Sequence, residues 1–324
     1  MNFAITVLVT TYNCGVYIKQ AIQSILNQTY KYFELLIIDD GSNDNTDEIV
    51  WSFNDDRIRY IKTHHIGRSA ALNMGLQEAK HELISFCDAD DIIHPQKLEK
   101  QLRLFKNEND LVFTDTAVFR NKKILYELKI LNDMNIIKRK IALHGHFGPS
   151  ILYNRDFILR SGGYNNNLTA FVDYDLLLRI FNKGNIIVLP EVLYFQRLRE
   201  NSISTTDTMK KKHIIYQVQK NYFTKLEENF GISSNKDQLI IKGWREFFYG
   251  GKKTAREYWL KAGFKVWDLK LTLTFLLSFL PESFLDYIKN KRVRLMTEYR
   301  INKLFGKNNI QIIFNRVVEQ LAAK

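Results

Sequence analysis

Between residues 4 and 86 the chain alternates nearly continuous apolar, β-rich runs with stretches whose apolar residues recur at helical spacing, and this alternation is what most limits the fold. Ala4–Thr10 and Leu35–Ile38 read as strands buried on both faces, as parallel sheets require. Between them Ile18, Ala21, Ile22, Ile25 and Leu26 mark one face of a helix over Tyr17–Gln28. The unit repeats as a helix over Asn45–Phe53, a strand at Ile58–Ile61, a helix over Ser69–Ala79 and a strand at Leu83–Phe86. Such a chain is expected to form a doubly wound, mostly parallel α/β sheet flanked by helices. In open sheets of this kind ligands bind outside the carboxyl ends of the strands.

The carboxyl ends of three of these strands are polar: Thr10-Thr11-Tyr12-Asn13, Asp39-Asp40-Gly41-Ser42 and Asp88-Ala89-Asp90-Asp91. Three carboxylates within four residues repel one another, and burial adds a desolvation cost. A hard divalent cation meets that charge with oxygen ligands, commonly one or two carboxylates plus substrate phosphates. The structural alternative is a solvated acidic turn ahead of a helix. An isolated Asp-x-Asp triplet does not separate the two, whereas its place at a strand end beside two other polar strand ends favours a ligand site. Asp39-Asp40-Gly41-Ser42 is likewise both a strand-to-turn exit and a set of acceptors suited to a base N–H or a ribose hydroxyl.

Further along, a helix is expected over Leu98–Phe105, a strand at Leu111–Phe113, a helix over Asp173–Phe181 and a strand over Ile186–Phe195 interrupted by Pro190. After about residue 205 amphipathic helical patterns dominate. The charge divides at the same place. Residues 1–204 carry 24 basic and 24 acidic residues, whereas 205–324 carry 23 and 11, so the whole net charge of +12 belongs to the last 120 residues. The chain therefore reads as a neutral domain, 1–204, followed by a basic, mainly helical region, 205–324.

That basic region contains the run Leu271–Leu280, too short to span a bilayer and suited to an interfacial helix, with KNKRVR downstream. An anionic membrane surface is the expected partner, and solvated faces of a helical appendage are the structural alternative. No nucleic-acid-binding module accompanies the charge, so no nucleic acid is expected. The amino terminus reads as a first strand and not as a signal peptide. Cys14 and Cys87 are too few for a disulfide framework and read as buried free thiols. His64, His65, His144 and His146 lack metal-ligand spacing.

Taken together, VTTYNCGVYIKQAIQSILNQTYKYFELLIIDDGSNDNT, GRSAALNMG, FCDADDIIHP, VDYDLLLR and VLYFQRLRENSIS closely resemble family 2 of the inverting glycosyltransferases, of GT-A fold, over roughly residues 4–204. The resemblance implies that Thr10, Tyr12 and Asp40 line the nucleotide base and that Arg68, ahead of an Asn73-x-Gly75 turn, approaches base or diphosphate. It implies that Asp88 meets the ribose and that Asp90, helped by Asp91, ligates Mn²⁺ or Mg²⁺. Asp173 is then the general base, and Gly145–Pro149 lies near the acceptor. Inverting transfer needs one base to deprotonate the attacking hydroxyl and a Lewis acid for the leaving diphosphate, so a lone Asp with a metal is a sufficient set. Asp175, two residues on, is the candidate for a favourable charge at the helix N-terminus or for substrate support, and the domain then divides into a nucleotide-sugar half, about 1–95, and an acceptor half, about 96–204.

Two positions depart from the family pattern. Val172 stands where relatives carry Glu before the base, and Arg199 stands where many carry His in Arg-x-His. A guanidinium neutralises phosphate oxygens, so Arg199 is expected to bind the diphosphate. The expected activity is transfer of a sugar from a nucleotide-diphosphate sugar, with a UDP-sugar favoured, to a glycan or lipid-linked acceptor. The setting is surface-polysaccharide assembly, with the protein cytoplasmic and peripheral at the inner face of the cell membrane. A nucleotidyltransferase that makes nucleotide sugars and a catalytically silent nucleotide-sugar-binding subunit are the alternatives.

Overall fold

The first strand, β1 (Ile5–Thr11), is buried at every position, because residues on its two faces meet helices on opposite sides of the sheet. Ile5, Val7 and Val9 join Ile18, Ile22 and Ile25 of α1 (Gly15–Leu26) in one core. Leu8 points the other way, toward α3 (Arg68–Glu78), where Gly75 allows the close approach: a Cβ at that position would lie 2.3 Å from Leu8 Cδ1. Alternate residues of β2 (Phe33–Asp39), also wholly buried, follow the same division. This is the physical reason both strands read as continuous apolar runs.

A computed structural model gives the protein's structure and describes residues 3–130, 137, 141, 149–199, 208–223, 234–263, 269–279 and 309–322. After β2 come α2 (Thr46–Trp51), β3 (Ile58–Lys62), α3, β4 (Leu83–Phe86), the two-residue β5 (Ile92–Ile93) and α4 (Lys97–Leu104). There follow β6 (Asp110–Arg120), β7 (Lys123–Leu128), β8 (Leu152–Asn154), α5 (Arg155–Arg160), α6 (Val172–Ile180) and β9 (Asn185–Arg197). The described strands form one sheet in the order β3-β2-β1-β4-β8-β6-β9-β5, with β7 paired to β6. β1 to β4 are mutually parallel, β6 and β9 are parallel, and β8 runs antiparallel to β4 and β6. The expected mostly parallel α/β sheet is present.

β9 runs through Pro190 because the ladder with β6 slips there: Thr114 pairs with Leu189 and Asp115 with Val192. Such a bulge accommodates a residue with no N–H to give. The Asn73-x-Gly75 segment, expected as a turn, lies inside helix α3. Its Asn73 uses the side chain, not the backbone, to hold a distant loop.

The chain divides into two compact units, the first made of residues 1–132, 147–199 and 305–324 and the second of 133–146 and 200–304. The last helix, α11 (Asn309–Ala322), thus belongs with the sheet, although its charge context grouped it with the basic region. Phe314 sits fully buried against Phe119 and Phe195, with ring centroids 4.7 and 5.1 Å away. The second unit, among the described residues, is helical: α7 (Thr208–Phe223), α8 (Asn235–Tyr249), α9 (Lys252–Ala262) and α10 (Leu269–Leu277). Its small core holds Ala255, Trp259 and Leu271, with Ile240, Trp244, Phe247 and Phe275 against them. The run expected as an interfacial helix contributes Leu271 to this core and leaves Leu273, Leu276 and Phe279 exposed. No helix among the described residues is long and apolar enough to cross a membrane.

Candidate active site

Three loops at the carboxyl ends of β1, β2 and β4 meet side by side, as the parallel pairing of those strands requires. The first two are tied together. Ser42 Oγ accepts from the Asn13 backbone N–H (2.8 Å), Asn13 Oδ1 from Asn43 N–H (2.8 Å) and Asp44 Oδ2 from Gly15 N–H (2.9 Å). Gly41, at φ +81°, makes the exit from β2 possible, since a Cβ there would also meet the His65 backbone nitrogen at 2.7 Å. Asn13 and His65 are themselves left-handed, at φ 51° and 57°, a strain that marks loops held in place by their surroundings.

Asp40 is the hub of this corner. Its carboxylate accepts from the backbone N–H groups of Ile66 (2.6 Å) and Gly67 (3.0 Å), from Thr63 Oγ1 (3.3 Å), and lies 3.2 Å from His65 Nδ1. Both oxygens are therefore engaged in shaping the loop that leads into α3. Above it the rings of Tyr12 and His65 stack with centroids 4.3 Å apart, and Tyr12 is 44% exposed, presenting a flat aromatic surface to solvent. Thr10 is buried in the penultimate position of β1. His65, expected in the sequence as a loop or acceptor-pocket residue, stands instead as the stacking partner of Tyr12.

Arg68 opens α3 beneath this loop. Its Nη2 lies 3.0 Å from Asp88 Oδ1 and 3.5 Å from Asp173 Oδ2. Burial disfavours the guanidinium's charge, but the carboxylates of Asp88 and Asp173 outweigh it and hold Arg68 above its ordinary value. Asp173 is in the first turn of α6, where a negative charge is favourable, and its side chain is 56% exposed. Phe171, just before that helix, is left-handed at φ 58°.

The position of α6 is set from α3. Asn73 Nδ2 donates to Tyr164 O and Asn73 Oδ1 accepts from Tyr164 N–H, both at 2.8 Å, while Ser69 Oγ donates to Leu168 O at 3.0 Å. Asp175 pairs with Arg179 (3.0 Å), whose other nitrogens donate to Ser161 O and Gly163 O.

The three acids of FCDADDIIHP have separate fates. Asp91 is 2% exposed; its Oδ2 accepts from Tyr194 OH (2.8 Å) and its Oδ1 from Arg197 N–H (2.7 Å). Asp91, expected to help hold the metal, is instead turned inward and anchors β9. The same Tyr194 hydroxyl accepts from Asp88 N–H (3.0 Å), so one buried phenol sets the whole acidic loop. Asp90 keeps its carboxylate at the site, with Oδ2 2.6 Å from Arg199 Nε, and Arg197 Nε donates to the Asp90 carbonyl at 2.7 Å. Burial, then the charge of Asp88, raise the Asp90 carboxyl above its usual range, opposed by Arg199. Tyr194 and Arg197 lie more than 100 residues from the acids they hold, and no local signal joins them.

Asp88 and Asp90 offer oxygen donors only, on side chains 18% and 14% exposed. Among the described residues no three His, Cys, Asp or Glu side chains gather as a cation cage. A pair of carboxylates without a cage fits a hard divalent ion that completes its shell with substrate phosphates and water. The expected acceptor segment Gly145–Pro149 lies, except for Pro149, outside the described residues.

Residues 6–160 match the family model described as glycosyl transferase family 2. An uncharacterized glycosyltransferase of Methanocaldococcus jannaschii is 31% identical over 260 residues, covering 76% of this chain and 85% of that protein. The chain belongs to glycosyl transferase family 2. The O-antigen biosynthesis glycosyltransferase WbnJ of Escherichia coli is 34% identical over 55% of this chain and 72% of its own length. Two uncharacterized glycosyltransferases of Rickettsia conorii and Rickettsia bellii are matched over only 32% and 29% of their lengths. Among solved structures, TarS of S. aureus in complex with UDP-GlcNAc superposes with a TM-score of 0.61 at 19% identity, covering 80% of this chain and 79% of that one. The mannosyltransferase PcManGT of Pyrobaculum calidifontis, in complex with GDP-Man and Mn²⁺, gives 0.58 at 18% identity over 99% and 87%. The fold is that of the GT-A glycosyltransferases.

Proposed function

We propose that this family 2 chain transfers a sugar from a nucleotide-diphosphate sugar to an acceptor hydroxyl with inversion at the anomeric carbon. The observation that carries the reading is Arg68, one guanidinium held between the loop carboxylate Asp88 and the solvent-facing carboxylate Asp173. It puts a cation suited to a diphosphate beside a carboxylate suited to act as base.

In this reading the Tyr12 and His65 rings offer the flat surface for the base, beside Thr10 and the loop that Asp40 organises. Asp88 meets the ribose, and Arg68 and Arg199 meet the diphosphate. Asp90, with Asp88 beside it, would hold Mn²⁺ or Mg²⁺, which supplies Lewis-acid neutralisation of the leaving group. Asp173 accepts the proton of the acceptor hydroxyl as that oxygen attacks from the face opposite the diphosphate. Its exposure leaves it room for an acceptor, and Val172 leaves it as the sole carboxylate at that turn available for the task, Asp175 being engaged with Arg179.

The setting we infer is cell-surface polysaccharide assembly, on a glycan or lipid-linked acceptor. The protein is then peripheral at the cytoplasmic face of the membrane through its basic region 205–324. Its relative WbnJ acts in O-antigen biosynthesis. A UDP-sugar is the favoured donor. Thermal denaturation of the full chain with Mn²⁺ and a panel of UDP-, GDP- and other nucleotide sugars tests the donor class, since a ligand that binds only the folded state raises Tm. A selective rise with one nucleotide sugar supports the reading; no rise with any of them contradicts it.

A further inference from the structure

Asp90 is the carboxylate on which the metal assignment above depends, and it already has a cation. Arg199 Nε lies 2.6 Å from Asp90 Oδ2, so a divalent ion arriving at this carboxylate meets a positive charge that already neutralises it, and the two cations repel one another. Two further contacts make the pair a built feature. The Arg199 guanidinium lies 5.2 Å from the centre of the Tyr17 ring, which restricts where the side chain rests. Two residues earlier, Arg197 donates to the Asp90 carbonyl and takes Asp91 through its backbone N–H, fixing the end of β9 against the acidic loop. The tether is short, so the guanidinium's local concentration at Asp90 is high.

We propose that Arg199 is a tethered counter-cation that neutralises Asp90 in the donor-free protein, so that a divalent ion binds there in competition with it. The inference rests on the reading of Asp90 as a metal ligand. A neutral residue at 199 leaves a mostly buried carboxylate without its partner, and the ion is then the cation that relieves it.

The test is Mn²⁺ binding to the full chain without nucleotide, read by the loss of the free Mn²⁺ paramagnetic resonance signal at pH 7.5. Arg199→Met should bind Mn²⁺ about tenfold or more tightly than wild type, the scale of losing one competing ion pair. Arg199→Gln, which keeps length and polarity without charge, should do the same and stands in if the Met variant does not fold; Arg199→Lys should stay close to wild type. Mn²⁺ affinity in the neutral variants equal to or weaker than wild type overturns the proposal. Asp90→Ala separates the two layers. If it abolishes binding in both backgrounds while Arg199→Met leaves affinity unchanged, the metal assignment stands and the competition fails. If binding survives Asp90→Ala, both fail.

Discussion

Arg68 Nη2 stands 3.5 Å from Asp173 Oδ2, so the start of α3 and the first turn of α6 are joined across the site by a charge pair. With Asp88 at 3.0 Å on the same nitrogen, the guanidinium links the acidic loop to the proposed base. Arg68→Met should lower kcat/KM for the donor by about 100-fold, the loss expected for a charge-assisted contact to phosphate or its neighbours. Arg68→Lys should recover only part of it, because an ammonium is a strongly hydrated point charge that does not offer phosphate oxygens the paired N–H donors of a guanidinium. Steady-state kinetics on the three proteins decide the matter; full activity in Arg68→Met would remove Arg68 from the site.

The Tyr12–His65 stack predicts a binding effect without a chemical one. Tyr12→Ala should weaken nucleotide affinity by about tenfold, since a base stacked on an aromatic ring is worth roughly 1–3 kcal/mol. kcat at saturating donor should change little. Calorimetric titration with the nucleotide diphosphate measures the first and turnover the second.

Asp91 should matter to folding and not to metal. Asp91→Ala leaves Tyr194 OH and Arg197 N–H without their acceptor in a buried place, a loss of about 2–4 kcal/mol. Tm should fall by several degrees while the Mn²⁺ affinity of the folded fraction stays within a few-fold of wild type. Unchanged Tm with lost Mn²⁺ binding would restore Asp91 to the ligand set.

Lys97 gives a pH signature. Its ammonium is fully buried, donates to Ser85 Oγ at 2.7 Å, and burial lowers its pKa to about 7 from 10.5. Above pH 7 the unfolded chain binds this proton more than the folded one does, so stability from this group rises with pH between about 7 and 10.5 and is lowest below 7. Between pH 7 and 9 the gain is on the order of 2 kcal/mol. Lys97→Met should therefore exceed wild type in stability at pH 7, with the difference shrinking by pH 9. Urea denaturation at both pH values measures it, and a constant difference contradicts it.

These outcomes also show which parts of the molecule were legible in the sequence. The parallel half was, because β1, β2 and β4 are buried on both faces and so carry continuous apolar runs; Leu83–Phe86 falls where the pattern placed it. Ile92–Ile93 and Leu152–Asn154 are too short to display any period, yet they pair with β9 and with β4 and β6. The site's charged residues were legible because each lies in a local motif. Their sorting was not: Asp90 and Asp91 are neighbours in sequence, and only the distant Tyr194, Arg197 and Arg199 give one to the site and the other to the core. Helix α11 joined the wrong group for a similar reason, since net charge carries no information about which sheet receives Phe314.

The central claim is sugar transfer with Asp173 as base, and the most direct measurement compares wild type with Asp173→Asn on the donor identified by thermal shift, with Mn²⁺ present. Asn keeps the shape and the helix position but accepts no proton. The expected result is a fall in kcat of about 10²–10⁴-fold with donor affinity within a few-fold of wild type. Wild-type turnover in Asp173→Asn would contradict the account.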